Sequence, residues 1–182
     1  MKSALICLDL QNKFFEYGSL PLFQTKGIVP KINELLKEFE LVIFANDYYE
    51  PDFNHDIPGD RDLVPQLKLT NCKDKFYIFK REYNSTIQYP SAFTPLVPGT
   101  KKVSELNKFL EERNIERIFI CGINAEYALK ATAIESKNIY GYETFVILDN
   151  THFIDNKCQS VIEELIESGV IVIDNLSYLL FK

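Results

Sequence analysis

Six short, near-continuously apolar runs with β-branched residues recur along this chain of 182 residues: ALICLDL (4–10), LVIFAND (41–47), FYIFKR (76–81), RIFICGI (117–123), TFVILDN (144–150) and VIVIDN (170–175). None alternates between apolar and polar positions. A strand with one wet face alternates; a strand buried on both faces does not, and such strands belong to parallel sheets covered by helices. Helical stretches lie between most of the runs. IVPKINELLKEFE (28–40) places Ile28, Ile32, Leu35, Leu36 and Phe39 on one stripe, and TKKVSELNKFLEERN (100–114) does the same with Val103, Leu106, Phe109 and Leu110. Thr100 is the expected N-cap of the second. Segments 125–138 and 156–168 complete the set, with Gly169 as a C-terminal stop. The pattern predicts a three-layer α/β/α fold around a mostly parallel, six-stranded, doubly wound sheet, in one domain spanning 1–182.

Two stretches break the rhythm. Residues 47–75 contain no convincing helix, and REYNSTIQYPSAFTPLVPG (81–99) is a second irregular connection. They leave the C-terminal ends of the second and third strands, the edge at which open α/β sheets take ligands. Asp9, Asp47, Lys80 and Gly122 end the first four strands and so are expected on that rim. A carboxylate beside an ammonium group there can serve as a positioned general base or acid.

Charge and composition exclude other classes. The net charge is −6, with no run of five basic residues, which argues against nucleic acid or an anionic membrane as partner. No apolar run approaches the ~20 residues of a membrane span. The N-terminal apolar stretch is short and interrupted by an acid, so a cytoplasmic location is expected. The four cysteines, Cys7, Cys72, Cys121 and Cys158, fit no zinc or redox spacing, and disulfides are not expected.

The order of short motifs then matters. LDLQNKFFEYGSL (8–20) resembles the nicotinamidase opening D-x-Q-N-D-F-x-x-G-G-x-L, with Lys13 and Tyr17 as departures. VIFANDYYEP (42–51), HDIPGDRDLVPQL (55–67), FYIFKREYN with SAF (76–93) and GINAEYALKATAIES (122–136) are similar, in family order, to that family's later motifs. On these residues the chain is identified as a member of the isochorismatase-like cysteine hydrolases, nearest the nicotinamidase branch.

The resemblance implies a catalytic Asp, Lys and Cys, in which the thiolate attacks an amide carbon. Asp9 and Lys80 match; the cysteine position falls on Ala128. It also implies an oxyanion hole from the backbone N–H groups of Asn124 and Ala128, a cis bond between Ile123 and Asn124, and a pocket-lining role for Phe14. No cofactor is required. A divalent metal, zinc or iron, would take Asp47 and His55, but the second ligand position falls on Tyr49, a poor donor, with Glu50 as a substitute. The substrate class implied is a small planar amide or a related C–N or C–O bond, and the expected assembly is a homo-oligomer.

With Ala128 in place of a thiol, three readings follow. The chain is a working amidase whose cysteine was replaced by alanine to trap substrate, or a natural non-cysteine member that hydrolyses a vinyl ether such as isochorismate with Asp9 as acid, or a binding or scaffold descendant without catalysis. None of the four cysteines lies where a replacement nucleophile is needed.

Overall fold

A computed structural model describes residues 1–48, 57–81, 91–93, 104–123, 125–154 and 158–177, with backbone alone at 48 and 79–81. Among the described residues six strands form: β1 (Lys2–Leu8), β2 (Leu41–Tyr48), β3 (Asp74–Arg81), β4 (Ile115–Gly122), β5 (Glu143–Thr151) and β6 (Ile171–Ile173). They make one sheet of order β3-β2-β1-β4-β5-β6, and every pairing is parallel. The expected mostly parallel sheet is parallel at each of these pairings.

The continuous apolar runs are explained by two cores. Leu5 and Cys7 of β1 face one side with Val42, Phe44, Phe119 and Phe145, covered by Ile28, Ile32, Leu35 and Leu36 of α1 (Ile28–Leu35) and the turn after it. Ala4, Ile6 and Leu8 face the other side with Ile43, Ile118 and Ile120. That side is covered by α2 (Glu105–Glu112), α3 (Lys130–Asn138) and α4 (Cys158–Glu167), through Leu106, Leu110, Ala133, Val161 and Leu165. Successive residues of one strand therefore serve opposite cores.

Helix boundaries depart from expectation in three places. α1 ends at Leu35 rather than near 40; Lys37 and Glu38 donate to Glu34 and Leu35, the tighter three-residue spacing of a closing turn. The cap of α2 is Ser104, not Thr100. Its extended backbone (ψ 125°) cannot continue a helix, and its Oγ accepts the Asn107 N–H at 3.2 Å. Thr100 itself lies outside the described residues. The third helix begins as a π-helical turn, Ala125–Leu129, before α3. Gly169 does stop α4. Its φ is +80°, and the Gly169 and Val170 N–H groups return to Ile166 and Leu165, the paired bonds of a Schellman motif.

Candidate active site

The strand order reverses direction at β1, with β2 on one side and β4 on the other. Chains leaving β1 and β4 diverge at this point, and the crevice between them is where such sheets hold ligands. Asp9 follows the last residue of β1 directly. It is fully buried and adopts φ +57°, a left-handed backbone that a non-glycine residue takes at a cost. Its N–H donates to Ala45 O at 3.1 Å, so β2 holds the backbone in that position.

Across the crevice, Gly122 ends β4 in register with Leu8. Its φ is +126°, and a Cβ built there would lie 2.2 Å from Leu8 O. Only glycine permits this approach. Ile123 N–H then donates to Leu8 O at 3.0 Å, His152 N–H to Gly122 O at 2.8 Å, and Ala125 N–H to His152 O at 3.2 Å. The junction between β4 and its helix is thus tied on both sides, to β1 and to the end of β5. Ala128, 5% exposed, sits in the π-helical turn that follows. Single π-turns of this kind occur often at functional sites.

Asp47 and Lys80 are direct register partners at the ends of β2 and β3, as their positions in the sequence imply. The Lys80 side chain lies outside the described residues. Gln11 clasps the Asp47 backbone: its Oε1 accepts the Asp47 N–H at 2.7 Å and its Nε2 donates to Asp47 O at 3.2 Å and to Arg61 O at 3.0 Å. In the described part of the connection after β2, Asn12 and Lys13 N–H donate to the Asp62 and Asp60 carbonyls and Val64 N–H donates to Leu10 O. Phe14 lies in the turn so fixed. It is 3% exposed and packs with the α1-side core.

Asn124 and His55 both lie outside the described residues, as do Tyr49, Glu50 and the Ile123–Asn124 bond. Among the described residues no group of three or more His, Cys, Asp or Glu side chains is arranged to hold a metal. Asp47 is the one ligand position of the resemblance that the structure describes.

Cys7, Cys72 and Cys121 are buried thiols, and Cys158 is half-buried at the start of α4. Cys7 and Cys121 are register partners with Sγ atoms 3.7 Å apart, both fully buried. Burial first, and the hydrogen bond and charge of Cys121 next, push the Cys7 thiol well above its ordinary range. A thiol held protonated is no nucleophile. Burial likewise raises Cys72 and Cys158.

Two further features of the rim are His152, which no motif marks, and the SAF motif at Ser91–Phe93. His152, just past β5, has Nε2 2.6 Å from Phe23 O, and its Nδ1 is buried without a hydrogen-bond partner among the described residues. Beneath Ala128, the segment Ser91–Phe93 docks on α3: Ser91 Oγ donates to the Glu135 carboxylate, and Ala92 N–H to Thr132 Oγ1 at 3.0 Å. Burial raises the Glu135 carboxyl above the ordinary glutamate range, and the Ser91 hydrogen bond opposes this without cancelling it. An acid so raised binds its proton more tightly in the folded chain, so stability falls as pH rises from the ordinary glutamate range through the folded value. Glu135→Gln is therefore expected to be more stable than the parent at about pH 8 and to lose that advantage by about pH 3. Urea midpoints at the two pH values check this; the same difference at both would refute it.

A wholly parallel doubly wound sheet, with a strained aspartate and a glycine-initiated helical junction facing each other at its switch point, defines an α/β protein of the ligand-binding, switch-point class. The Isochorismatase domain family matches residues 3–175. The nicotinamidase of Saccharomyces cerevisiae is 35% identical over 215 aligned residues, covering 93% of this chain and 98% of that protein. That of Acinetobacter baylyi is 27% identical over 198, covering 92% and 90%. The crystal structure of Pyrococcus horikoshii pyrazinamidase in complex with zinc superposes with a TM-score of 0.77 at 24% identity, over 95% of this chain and 99% of that one. The chain belongs to the isochorismatase family, on its nicotinamidase branch.

Proposed function

We propose that this chain is an isochorismatase-like hydrolase whose switch-point site takes a small planar amide, nicotinamide or a close relative, and in which Ala128 occupies the position of the attacking thiol. The observation that carries the reading is the pairing of Asp9, fully buried at φ +57°, with the tied Gly122–Ala128 junction opposite it. Strain of this kind persists only where surrounding structure holds it, and it concentrates at working sites.

The roles follow from chemistry. Asp9 is the general acid or base, and Lys80 keeps it ionised or aims it. The backbone N–H groups of Asn124 and Ala128 receive the developing oxyanion. Phe14 contributes an apolar wall. A side chain at 128, in the first turn of a helical segment, meets the positive end of the helix dipole, which favours a thiolate where a cysteine stands. Since an alanine cannot attack, the unmodified chain binds the amide without covalent turnover.

A zinc or iron ion, if held, would use Asp47 and His55, and would polarise the bound ring or a water. With a phenol at position 49 as the third candidate donor, the set is a poor one for zinc, and the proposed chemistry routes no step through a metal.

A second reading rests on the alanine itself. A vinyl ether is activated by protonation and needs no nucleophilic side chain, so Asp9 as an acid would suffice. The test uses the unmodified protein with two ligands. Nicotinamide is expected to bind with a Kd of about 1 mM or tighter, by saturation-transfer NMR, with no ammonia released. No binding, together with hydrolysis of isochorismate, would replace the first reading with the second.

A further inference from the structure

We propose that Thr132 is a positioning residue that couples the connection following β3 to the turn bearing position 128; the inference rests on the site assignment above. Thr132 is fully buried one helical turn beyond Ala128. Its Oγ1 lies 2.7 Å from Ala128 O and 3.0 Å from Ala92 N. The bond directions are fixed by chemistry alone. The Ala92 N–H can only donate, so the hydroxyl accepts from it, and the single hydroxyl proton is given to the Ala128 carbonyl. The result is a one-way relay from Ala92 N–H through Thr132 to Ala128 C=O.

Both ends of the relay matter for the site. The carbonyl end belongs to the residue whose side chain occupies the attacking position, at the place where π-helical spacing gives way to α-helical spacing. Threonine bonded back four residues bends a helix locally, so this bond sets the aim of the 128 side chain. The amide end belongs to a segment held by two outside contacts and one internal bond. Ser91 Oγ donates to Glu135, Phe93 N–H donates to Ser91 Oγ at 3.1 Å, and the Phe93 ring stacks on Tyr140 at 4.7 Å. Ser91, Ala92 and Phe93 are each 1% exposed. The same connection leaves β3 directly after Lys80 and Arg81. Thr132 therefore joins the chain that carries the lysine to the helix that carries position 128. Serine would keep the relay; valine, of the same shape, would remove it.

The experiment has two arms. In the protein as it stands, Thr132→Val is expected to speed hydrogen exchange at the Ala92 amide by about 10-fold or more, and Thr132→Ser to leave it within about 3-fold. In an Ala128→Cys background, Thr132→Val is expected to lower kcat by about 10- to 100-fold with little change in KM, as a small misplacement of a reacting group does, and Thr132→Ser to restore it. Should Thr132→Val not fold, Ala92→Pro deletes the donor and leaves α3 intact, with the same kcat loss expected. An unchanged kcat, or a loss that serine fails to rescue, overturns the proposal whatever the exchange shows. If Ala128→Cys itself has no amidase activity, the site assignment fails; the relay is then judged by the exchange arm and by alkylation of the introduced thiol with iodoacetamide, which Thr132→Val is expected to slow about 5-fold. Equal alkylation and equal exchange in valine and serine variants overturn it on that branch.

Discussion

Replacing Ala128 with cysteine is expected to convert this chain into an amidase, raising ammonia release from nicotinamide by roughly 10³-fold over the parent. The figure is a fraction of what the nucleophile is worth. Deleting the attacking group of a well-studied hydrolase costs about 10⁶ in kcat, while what is left of such a site gives ~10³ over water. The parts that this substitution leaves alone are those the backbone supplies: the Gly122 junction, the π-turn and the strained Asp9. An added Asp9→Asn is expected to return the rate to background, because the amide cannot take the thiol proton. The measurement is ammonia release across a panel of planar amides at fixed enzyme concentration. A fully inert Ala128→Cys protein that still folds would end the amide reading, and an Asp9→Asn double variant as fast as the single would remove Asp9 from the chemistry. The natural codon at position 128 separates an introduced alanine from a native one.

Gly122→Ala is expected to be strongly destabilising. The new Cβ would stand 2.2 Å from Leu8 O and 2.7 Å from Leu8 N, both backbone atoms of the central strand. No rotamer change relieves a contact with backbone, and φ +126° is itself closed to an L side chain. Either β1 and β4 part, breaking the Ile123 N–H bond to Leu8 O, or the junction rebuilds. A loss of about 4 kcal/mol or more is expected, read as a fall in the urea midpoint. Ligand binding should fall with it, since Asp9 is the next residue after Leu8. A loss below about 1 kcal/mol would show that the two strand ends are not in this contact.

Much of this arrangement was legible from local chemistry. An apolar run without alternation reports burial on both faces, and residues 4–8 do divide between two cores. The motif order from Asp9 to Ala128 pointed to one rim, and the sheet brings Asp9, Asp47, Lys80 and Gly122 to the same edge through the Leu8–Gly122, Leu8–Ala45 and Asp47–Lys80 registers. Gly122 and Gly169 were readable because glycine alone tolerates the backbone each place requires.

Other features had no local signature. Ser104 rather than Thr100 caps α2, a choice between two capping residue types four positions apart that residue type alone does not make. The π-turn at Ala125–Leu129 follows a junction tethered to Leu8 of β1 and to His152 just past β5. Cys7 and Cys121, 114 positions apart, face each other only because β1 and β4 are neighbours. Thr132 meets Ala92 across 40 positions that no periodicity relates.

The sequence by itself determined the layers, the parallel sheet and the residue types at the strand ends, because burial pattern and backbone tolerance are properties of a residue and its near neighbours. Only the tertiary structure decided which amide meets which hydroxyl, which thiols pair, and how position 128 is aimed. Those contacts depend on the strand order, and hydrogen bonds act over 3 Å in space irrespective of distance along the chain.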